Sequence, residues 1–375
     1  MKTLALAGLS VRLMAQAAVA DGHDVVALDL FGDSDTRAAA SSWACLGEPH
    51  RLQIDGQRLL SALARLAQRR SVAGWVAGSG FEGRTALLAR GAELLPLIGT
   101  APAAVVRQRD PAQFFAFLDA NGIEHPQVRL SPRAEGEGWL LKDLHGSGGW
   151  HIRRVAQGQP VALAPGQYLQ RECAGRSMSA TFVAAGSALR LLGVNQQTVR
   201  TLGAAPHVFC GVVGPVPVAG RVLQRLQTVL HRLVQGLALR GLASLDFLLD
   251  GECVRVLEVN ARPPASLALY PQWQPMAAHV RACLHGELPA TPPVDAAVRG
   301  HEIVFAPQPL WLDAAAAAAL AARPHVHDLP AAQHFTADSP LCSISARGRS
   351  AAEVLARLQA RRVALLRALE TPAWA

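Results

Sequence analysis

The chain has 375 residues, of which 50% are apolar and 17% charged, and its formal net charge is +8. This composition excludes a disordered protein and predicts a soluble globular chain of two or three domains. The arginines are scattered and form no basic run, which argues against nucleic acid, and the charge is compatible with an anionic substrate. No run of 18 uncharged apolar residues predicts a membrane span. The six cysteines lack metal-finger spacing, so we expect reduced thiols in a cytoplasmic protein.

The start of the chain resembles a secretory leader, because Lys2 precedes an apolar run that ends in Ala18, Val19 and Ala20. Arg12 interrupts that run, and the chain continues directly into DGHDVVALDL. We therefore expect a folded βαβ unit with a strand, a turn, a helix and a second strand, at 3–7, 8–10, 11–20 and 25–30.

The rest of the first region predicts more of an α/β sheet, with a helix at 57–69, a strand at 72–77 and a helix at 110–121. The loop GSGFEG (78–83) follows a strand at its carboxyl end, where ligands of open α/β sheets bind. It is a candidate substrate loop, with a plain tight turn as the alternative. Asp29 ends the second strand, where we expect a cap or turn rather than a ribose contact. A polar break at 131–138 closes this region.

The stretch at 139–152 reads WLLKDLHGSGGWHI, an apolar run followed by a lysine and a cluster of glycines. Only two of the 36 basic residues are lysines, Lys2 and Lys142. A lysine retained beside glycines in an arginine-rich chain indicates a need for a compact ammonium group. Its usual partner in such a setting is a nucleotide phosphate.

The second unit predicts antiparallel strands at 168–172, 178–184 and 190–195. A long helix with a one-sided apolar stripe is expected at 222–239. GLASLDFLLDG and ECVRVLEVNARPP then form a hairpin, because Asp250 and Gly251 give a strong turn signal. The last region predicts a helix within 312–324, strands at 302–306 and 341–346, and a closing helix at 350–369.

The hairpin carries a second chemical signal. Glu258 and Asn260 are two residues apart on one strand, so their side chains share a face. Asp246 on the partner strand can face the same side, and Mg²⁺ prefers such oxygen ligands, completed by water and substrate phosphates. Arg262 lies two residues further on that face, where it can meet a phosphate or the reacting carboxylate. Two carboxylates in apolar strands predict a bound cation.

Together these features resemble the ATP-grasp superfamily. The resemblance rests on a lysine before a glycine-rich loop, the strand YLQREC, and a hairpin with LDFLL and LEVNAR. It implies an ATP-grasp fold of mixed α/β and α+β class over nearly the whole chain. The implied parts are a Rossmann-like pre-grasp domain at 1–130, an ATP-grasp domain at 131–290 with its lid subdomain at about 131–190, and a small β-rich C-terminal region at 291–375 that completes the ATP-grasp unit. The last part is similar to that of biotin-carboxylase-like and purine-biosynthesis members.

The resemblance also implies roles for single residues. Those expected to bind ATP, through the phosphate lysine, the mobile lid and the hinge strand whose backbone reads adenine, are Lys142, Gly146, Ser147, Gly148, Gly149, Gln170, Arg171 and Cys173. The residues that match magnesium ligands are Asp246, Glu258 and Asn260. Arg262 matches the arginine that stabilises the acyl phosphate, so Arg262 and Lys142 are the expected catalytic residues.

Two positions depart from the pattern of the superfamily. Many members carry another lysine near the helix start at Asp110, and here Arg107 or Arg109 would replace it, or that phosphate contact is missing. Asp246 stands where many members have glutamate, and its shorter side chain would move one metal ion.

The implied chemistry is that of a carboxylate-amine ligase: ATP activates a carboxylate as an acyl phosphate, which an amine then attacks. ATP and Mg²⁺ (or Mn²⁺) are the implied cofactors, the partners are small anionic substrates rather than nucleic acid or membrane, and a homodimer is left open. No protein nucleophile is required, and we expect His145, His151 and His207 in loops or at the surface. GDSDTR, GSGFEG and FCGVVGPV are similar to a group linked to methanopterin and methylofuran biosynthesis, which suggests addition of an amino acid to such a cofactor. The alternatives are a carboxylase acting on bicarbonate or carbamate, and a non-catalytic ATP-binding regulator.

Overall fold

The computed structural model describes residues 2–49, 52–131, 138–156, 161–329 and 331–370. The polar break predicted at 131–138 therefore lies almost entirely outside the described residues. Three sheets organise the rest of the chain: a parallel one near the N-terminus, a small antiparallel one, and a large one.

The N-terminal region is a four-stranded parallel sheet with helices on both faces. Its elements are β1 (Thr3–Ala7), α1 (Arg12–Ala20), β2 (Asp24–Asp29), α2 (Ser34–Ala39), β3 (Ser42–Cys45), β4 (Gly47–Glu48), β5 (Gln53–Ile54), α3 (Gly56–Ala67), β6 (Val72–Ala77), α4 (Thr85–Leu94), α5 (Pro102–Arg109) and α6 (Pro111–Ala120). The strand order is β3-β2-β1-β6, and β1 pairs in parallel with both neighbours. The predicted βαβ unit is present at the predicted place.

The two faces of β1 explain why helices cover both sides of this sheet. All five residues of β1 are buried. Leu4 and Leu6 pack in one apolar cluster with α1, and Ala5 and Ala7 pack in another with α3. Alternate residues of a strand point to opposite faces, so an uninterrupted apolar strand needs cover on both.

Asp29 is a structural residue, in line with the predicted cap or turn. Its carboxylate accepts hydrogen bonds from the backbone N–H of Val11 at 3.1 Å and of Gly32 at 3.0 Å, and from the Trp43 indole at 2.7 Å. These donors hold the turns that follow β1 and β2.

The second sheet is small and carries the lysine. Its strands are β7 (Val128–Arg129), β8 (Trp139–Asp143), β9 (Arg153–Arg154) and β10 (Gln167–Arg171). The order is β7-β10-β8-β9, and all pairs are antiparallel. This sheet ends at Arg171, which is earlier than the lid boundary predicted near residue 190, because the next strand pairs with the large sheet.

The large sheet has eight strands and contains the hairpin. Its elements and those packed on it are β11 (Arg176–Ala185), β12 (Ala188–Leu202), β13 (Ala205–Gly214), α7 (Gly220–Leu237), β14 (Gly241–Asp250), β15 (Cys253–Asn260), α8 (Pro275–His285), β16 (Val298–Phe305), β17 (Leu310–Leu312), α9 (Ala314–Ala321), β18 (Val326–His327), β19 (Gln333–Phe335), β20 (Pro340–Gly348) and α10 (Ala351–Glu370). The strand order is β15-β14-β11-β12-β13-β16-β20-β18.

The apolar stripe of α7 covers one face of this sheet, as its spacing predicts. Leu226, Leu230 and Leu233 are fully buried against Phe182 and Phe247 of the central strands. The strands of the last region extend the same sheet through β16, so the C-terminal residues complete it.

All six cysteines are free thiols. Among the described residues, none of the helices combines the length and apolar character that a membrane crossing requires.

Candidate active site

The hairpin β14–β15 brings three predicted metal ligands together. Asp246 and Glu258 are direct cross-strand partners. The Asn260 side-chain amide donates to Asp246 Oδ2 at 3.2 Å and to Glu258 Oε1 at 3.3 Å, so it lies between the two carboxylates. A cation bound there would require the amide oxygen, rather than the nitrogen, to face them.

The charges of this cluster fit a divalent cation. Burial, reinforced by repulsion from Glu258, raises the pKa of Asp246 to about 7. Burial alone would also raise the pKa of Glu258, but Arg109 and Lys142 hold it below its usual value. Two adjacent acids with oxygen donors and a shared amide are the set that Mg²⁺ or Mn²⁺ binds. The residues present therefore fit the implied metal.

Gln197 is a neighbour of this cluster that the sequence did not indicate. It lies on β12, and its side chain lowers the pKa of the nearby Asp246 carboxylate, opposing the effect of burial. Its amide oxygen accepts from the Ser177 hydroxyl at 2.8 Å. Gln197 therefore adds a polar side chain to the site from a strand on the side of β14 opposite Glu258.

Lys142 faces the same acids from the small sheet. Its side chain is only 7% exposed. Burial lowers the pKa of Lys142, and the nearby Arg109 adds to this, while Glu258 and Asp246 favour the charged form. The lysine and the hairpin, about a hundred residues apart in sequence, thus lie in one electrostatic cluster.

Arg109, the last residue of α5, completes the positive side of the site. Its Nη1 atom lies 3.6 Å from Glu258 Oε2. Its Nη2 atom donates to the backbone carbonyls of Leu144 at 2.6 Å and of Gly146 at 3.2 Å. Arg107, the other proposed substitute for the missing lysine, is exposed. The geometry therefore favours Arg109.

The glycine loop after β8 lies against the large sheet. Gly148 O accepts from the backbone N–H of Phe209 on β13 at 2.9 Å. Gly149 has a φ of +83°, and a Cβ there would lie 1.9 Å from His207 O. Within the described part of the chain, the N–H groups of Gly148 and Gly149 donate to no other residue. Such free N–H groups are the donors that a phosphate cradle needs.

Charged contacts also join the small sheet to β13. The Glu172 carboxylate accepts from Arg154 at 2.8 Å and lies 2.9 Å from His207 Nε2. His207 is thus a contact between the two sheets, at a partly exposed position as expected.

Arg262 joins the hairpin to the predicted substrate loop. Its Nε atom donates to Glu82 Oε1 at 2.6 Å, and its Nη2 atom donates to Asn260 Oδ1 at 3.3 Å. The other Glu82 oxygen accepts from the backbone N–H of Gly80 at 2.6 Å. The loop at 78–83 is therefore part of the site, through a carboxylate that sequence reasoning did not single out.

His151 lies in the turn that follows the glycines, a loop position as expected. It is partly buried, and burial lowers the pKa of its imidazole. The charges that act on it are those of Glu258, Lys142 and Arg109. His145 is exposed as expected, with Nδ1 3.2 Å from Gly83 O.

The predicted hinge strand is β10. Gln170 is 1% exposed and sits opposite Leu140 of β8. The backbone N–H of Arg171 donates to Gln127 O at 2.8 Å, so that N–H is already used. Cys173 follows the last paired residue of the strand. Cys173 lies beyond the paired strand, so its backbone groups are freer to contact adenine than those of Gln170 and Arg171.

Comparison with known proteins gives a matching family model and several similar solved structures. The family model of the ATP-grasp domain matches residues 109–266. The structure is similar to a biotin carboxylase in complex with beta-gamma-ATP from Campylobacter jejuni, with a TM-score of 0.74 and 13% identity over 99% of this chain and 95% of that one. It is also similar to the biotin carboxylase domain dimer of Hydrogenobacter thermophilus 2-oxoglutarate carboxylase, which contains MgADP, ADP and bicarbonate (TM-score 0.72, 12% identity, 96% and 89% covered). A third similar structure is L-amino acid ligase from Bacillus licheniformis (TM-score 0.69, 15% identity, 96% of both chains covered). A sequence search of curated proteins gave no match.

The protein has the ATP-grasp fold, with a parallel sheet near the N-terminus and a large antiparallel sheet. The family-model match over residues 109–266 includes Arg109, Lys142, the glycine loop and the whole hairpin.

Proposed function

We propose that the protein is an ATP-dependent ligase that converts a carboxylate to an acyl phosphate and transfers the acyl group to an amine. The observation that carries this proposal is the convergence of Lys142 and Arg109 on the acids of the hairpin. Two side-chain cations from separate elements face a pair of carboxylates that can bind a metal ion. This arrangement suits a nucleoside triphosphate with its metal ion.

Phosphoryl transfer asks the protein mainly for positioning and charge neutralisation. Lys142 and Arg109 supply fixed positive charge, and the free N–H groups of Gly148 and Gly149 supply hydrogen bonds to phosphate oxygens. Arg109 also bonds two carbonyls of the glycine loop, so it sets the position of the loop as well as the charge of the site. In this proposal Arg109 therefore both contacts phosphate and positions the glycine loop that forms the lid.

Asp246, Glu258 and Asn260 would hold Mg²⁺ or Mn²⁺. When bound, the metal would neutralise phosphate charge during transfer. Gln197 favours the ionised form of Asp246, and Arg109 with Lys142 favours the ionised form of Glu258, so the chain favours both carboxylates as ligands.

The acceptor side of the site is built around Arg262. Glu82 orients its guanidinium, and Glu82 is in turn held by Gly80. We assign Arg262 to the carboxylate that becomes the acyl phosphate, since a planar guanidinium matches that group. The loop at 78–83 then lies beside the reacting carboxylate and is a determinant of substrate choice.

The substrates proposed are a small anionic carboxylate and an amine, and an amino acid as one of the two is consistent with the similarity to L-amino acid ligase. Addition of an amino acid in methanopterin or methylofuran biosynthesis remains a prediction from the sequence resemblance alone, since none of the three compared structures concerns those pathways.

Trapping with hydroxylamine tests the reaction class. The purified protein is incubated with ATP, Mg²⁺, a panel of carboxylates and hydroxylamine, which attacks acyl phosphates to give hydroxamates. We expect ADP, phosphate and hydroxamate in equal amounts with the correct carboxylate. Formation of AMP and pyrophosphate would refute the acyl phosphate, because it indicates an adenylate.

The similarity to a carboxylase domain that contains bicarbonate favours one alternative. In that case ADP forms in the presence of bicarbonate without any organic carboxylate. ATP binding with no turnover under any of these conditions would instead indicate a regulatory protein. The missing lysine near Asp110 supports a regulator, whereas the position of Arg109 beside Glu258 supports the ligase.

A further inference from the structure

A second acidic cluster lies outside the proposed active site. Asp33 and Asp35 follow β2, and Asp328 follows β18 in the C-terminal region. One carboxylate oxygen from each lies within 4.8 Å of the others. These residues are in the GDSDTR segment and a distant loop, and the proposed ligase chemistry uses none of them.

Arg12 partly balances the cluster. Its guanidinium, 3% exposed, forms two hydrogen bonds to Asp328, at 2.5 Å from Nε and 2.9 Å from Nη2. Its Nε atom also lies 3.4 Å from Asp35 Oδ2. Three carboxylates and this one guanidinium leave two formal negative charges, and like charges at this spacing repel strongly when partly buried.

Unpaired atoms point to a missing partner. Asp33 is 4% exposed, and its Oδ1 atom, like Asp35 Oδ1, has no hydrogen-bond partner in the described part of the chain. A separate residue gives the same signal: His301 on β16 is 7% exposed, and its Nδ1 atom also lacks a partner among the described residues. Asp328 and Arg12 are among the charges that act on the His301 imidazole. Buried polar atoms of native proteins are rarely left without a partner.

We propose that Asp33, Asp35 and Asp328 bind a divalent cation of the Mg²⁺ or Mn²⁺ class. Two positive charges neutralise the cluster, and carboxylate oxygens are the donors these ions prefer. The site joins the loop after β2 to the C-terminal strands, so the cation would hold the first and last regions of the chain together.

The test must separate this site from the hairpin site. We use Glu258→Gln as the background, because it removes a ligand of the hairpin site and none of this cluster. Mn²⁺ binding to the full-length protein is followed by electron paramagnetic resonance of the free ion, without nucleotide. Asp33→Asn and Asp35→Asn are each added to this background. Asp119→Asn is the matched control, because Asp119 is 74% exposed and far from the cluster in the fold.

We expect the Glu258→Gln protein to bind one Mn²⁺ per chain, and the added Asp33→Asn or Asp35→Asn change to weaken this binding at least about tenfold. Mn²⁺ should raise the melting temperature of the background and of the Asp119→Asn control but not of the cluster variants, since a ligand stabilises the state that binds it. Unchanged Mn²⁺ affinity in the Asp35→Asn and Asp33→Asn proteins would overturn the proposal. Absence of Mn²⁺ binding to the background would overturn it as well, and would show that protonation of Asp33 relieves the repulsion instead.

Discussion

Replacement of Arg109 by methionine tests the central feature of the site. The change keeps an unbranched apolar stem and removes the guanidinium. Three contacts are lost: the ion pair with Glu258 at 3.6 Å and the hydrogen bonds to the carbonyls of Leu144 and Gly146, at 2.6 and 3.2 Å. The first affects the charge of the metal ligands, and the other two hold the glycine loop.

The size of the effect follows from these contacts. A unit charge pair at 3.6 Å interacts by about 4–5 kcal/mol at an effective dielectric constant of about 20. Glu258 is 38% exposed, so solvent screening reduces this to about 1 kcal/mol. Hydrogen bonds from a charged donor contribute about 1.5 kcal/mol each or more, but the freed carbonyls regain water. We therefore expect a loss of about 2–3 kcal/mol, which is roughly 30- to 150-fold in kcat/KM for ATP.

The assay compares three variants. ATP affinity is measured by titration with a fluorescent ATP analogue, and turnover by release of ADP. Arg107→Met is the matched control, because Arg107 lies on the same helix but is exposed. Arg109→Lys keeps the charge and should retain much of the activity, since lysine occupies a similar place in many ATP-grasp proteins. ATP affinity and turnover of Arg109→Met equal to those of Arg107→Met would refute the role of Arg109.

Four further predictions concern the same site. Lys142→Met should lower turnover about 100-fold or more with the fold intact, because it removes a buried charge at the phosphates; unchanged ATP kinetics would contradict this. Glu258→Gln should weaken Mg²⁺ affinity at least about tenfold, as measured by Mg²⁺ dependence of ADP release. The pKa of Asp246 is raised to about 7, so protons should compete with Mg²⁺ as the pH falls through about 7, and Asp246→Asn should abolish this dependence while lowering affinity. Gly149→Ala should weaken ATP binding, because its Cβ would meet His207 O at 1.9 Å, whereas Gly186→Ala, with φ +60° and open space, is the control for backbone strain alone.

Most strands of the fold could be predicted because each is an uninterrupted apolar run or is bounded by turn residues. β1 and β6 begin and end at the predicted residues, and the hairpin turn at Asp250 is where the sequence indicates it. The α7 stripe was equally readable, since one face is buried and the other exposed. Local pattern and tertiary burial agree in these segments, and that agreement makes them predictable.

The sequence does not predict helices α5 and α8, because they lack such a pattern. α8 buries seven of its eleven residues, so it has no clear polar face from which to read a period. α5 is short and buries only three residues, one of them the polar Gln108, so its spacing also gives no apolar stripe. The sequence does not predict the strand β13, although all its residues are at least partly buried. In these three elements the neighbours, rather than the local sequence, decide the structure.

Residues of the candidate site divide in the same way. Asp246, Glu258 and Asn260 could be grouped from sequence because a two-residue spacing and one hairpin fix their relative positions. Gln197 and Glu82 could not, since each reaches the site from an element far away in sequence. Their side chains have ordinary polar identities, and only the folded chain shows which polar residues share a cleft.

The glycines after Lys142 have two explanations that are compatible, a phosphate contact and a packing requirement. From the sequence, glycines after Lys142 indicate a phosphate contact. In the fold, Gly149 is required for a different reason, because β13 occupies the space of a side chain there. That packing turns the Gly148 carbonyl towards Phe209, while Arg109 bonds the carbonyls of Leu144 and Gly146. With these three carbonyls engaged by the protein, the N–H groups of Gly148 and Gly149 are left without protein acceptors among the described residues, as a site for phosphate oxygens requires. If the loop binds ATP as proposed, close packing on the large sheet is the means by which it presents its donors, so a variant that disturbs the contact with β13 should weaken ATP binding without touching any group that contacts the nucleotide.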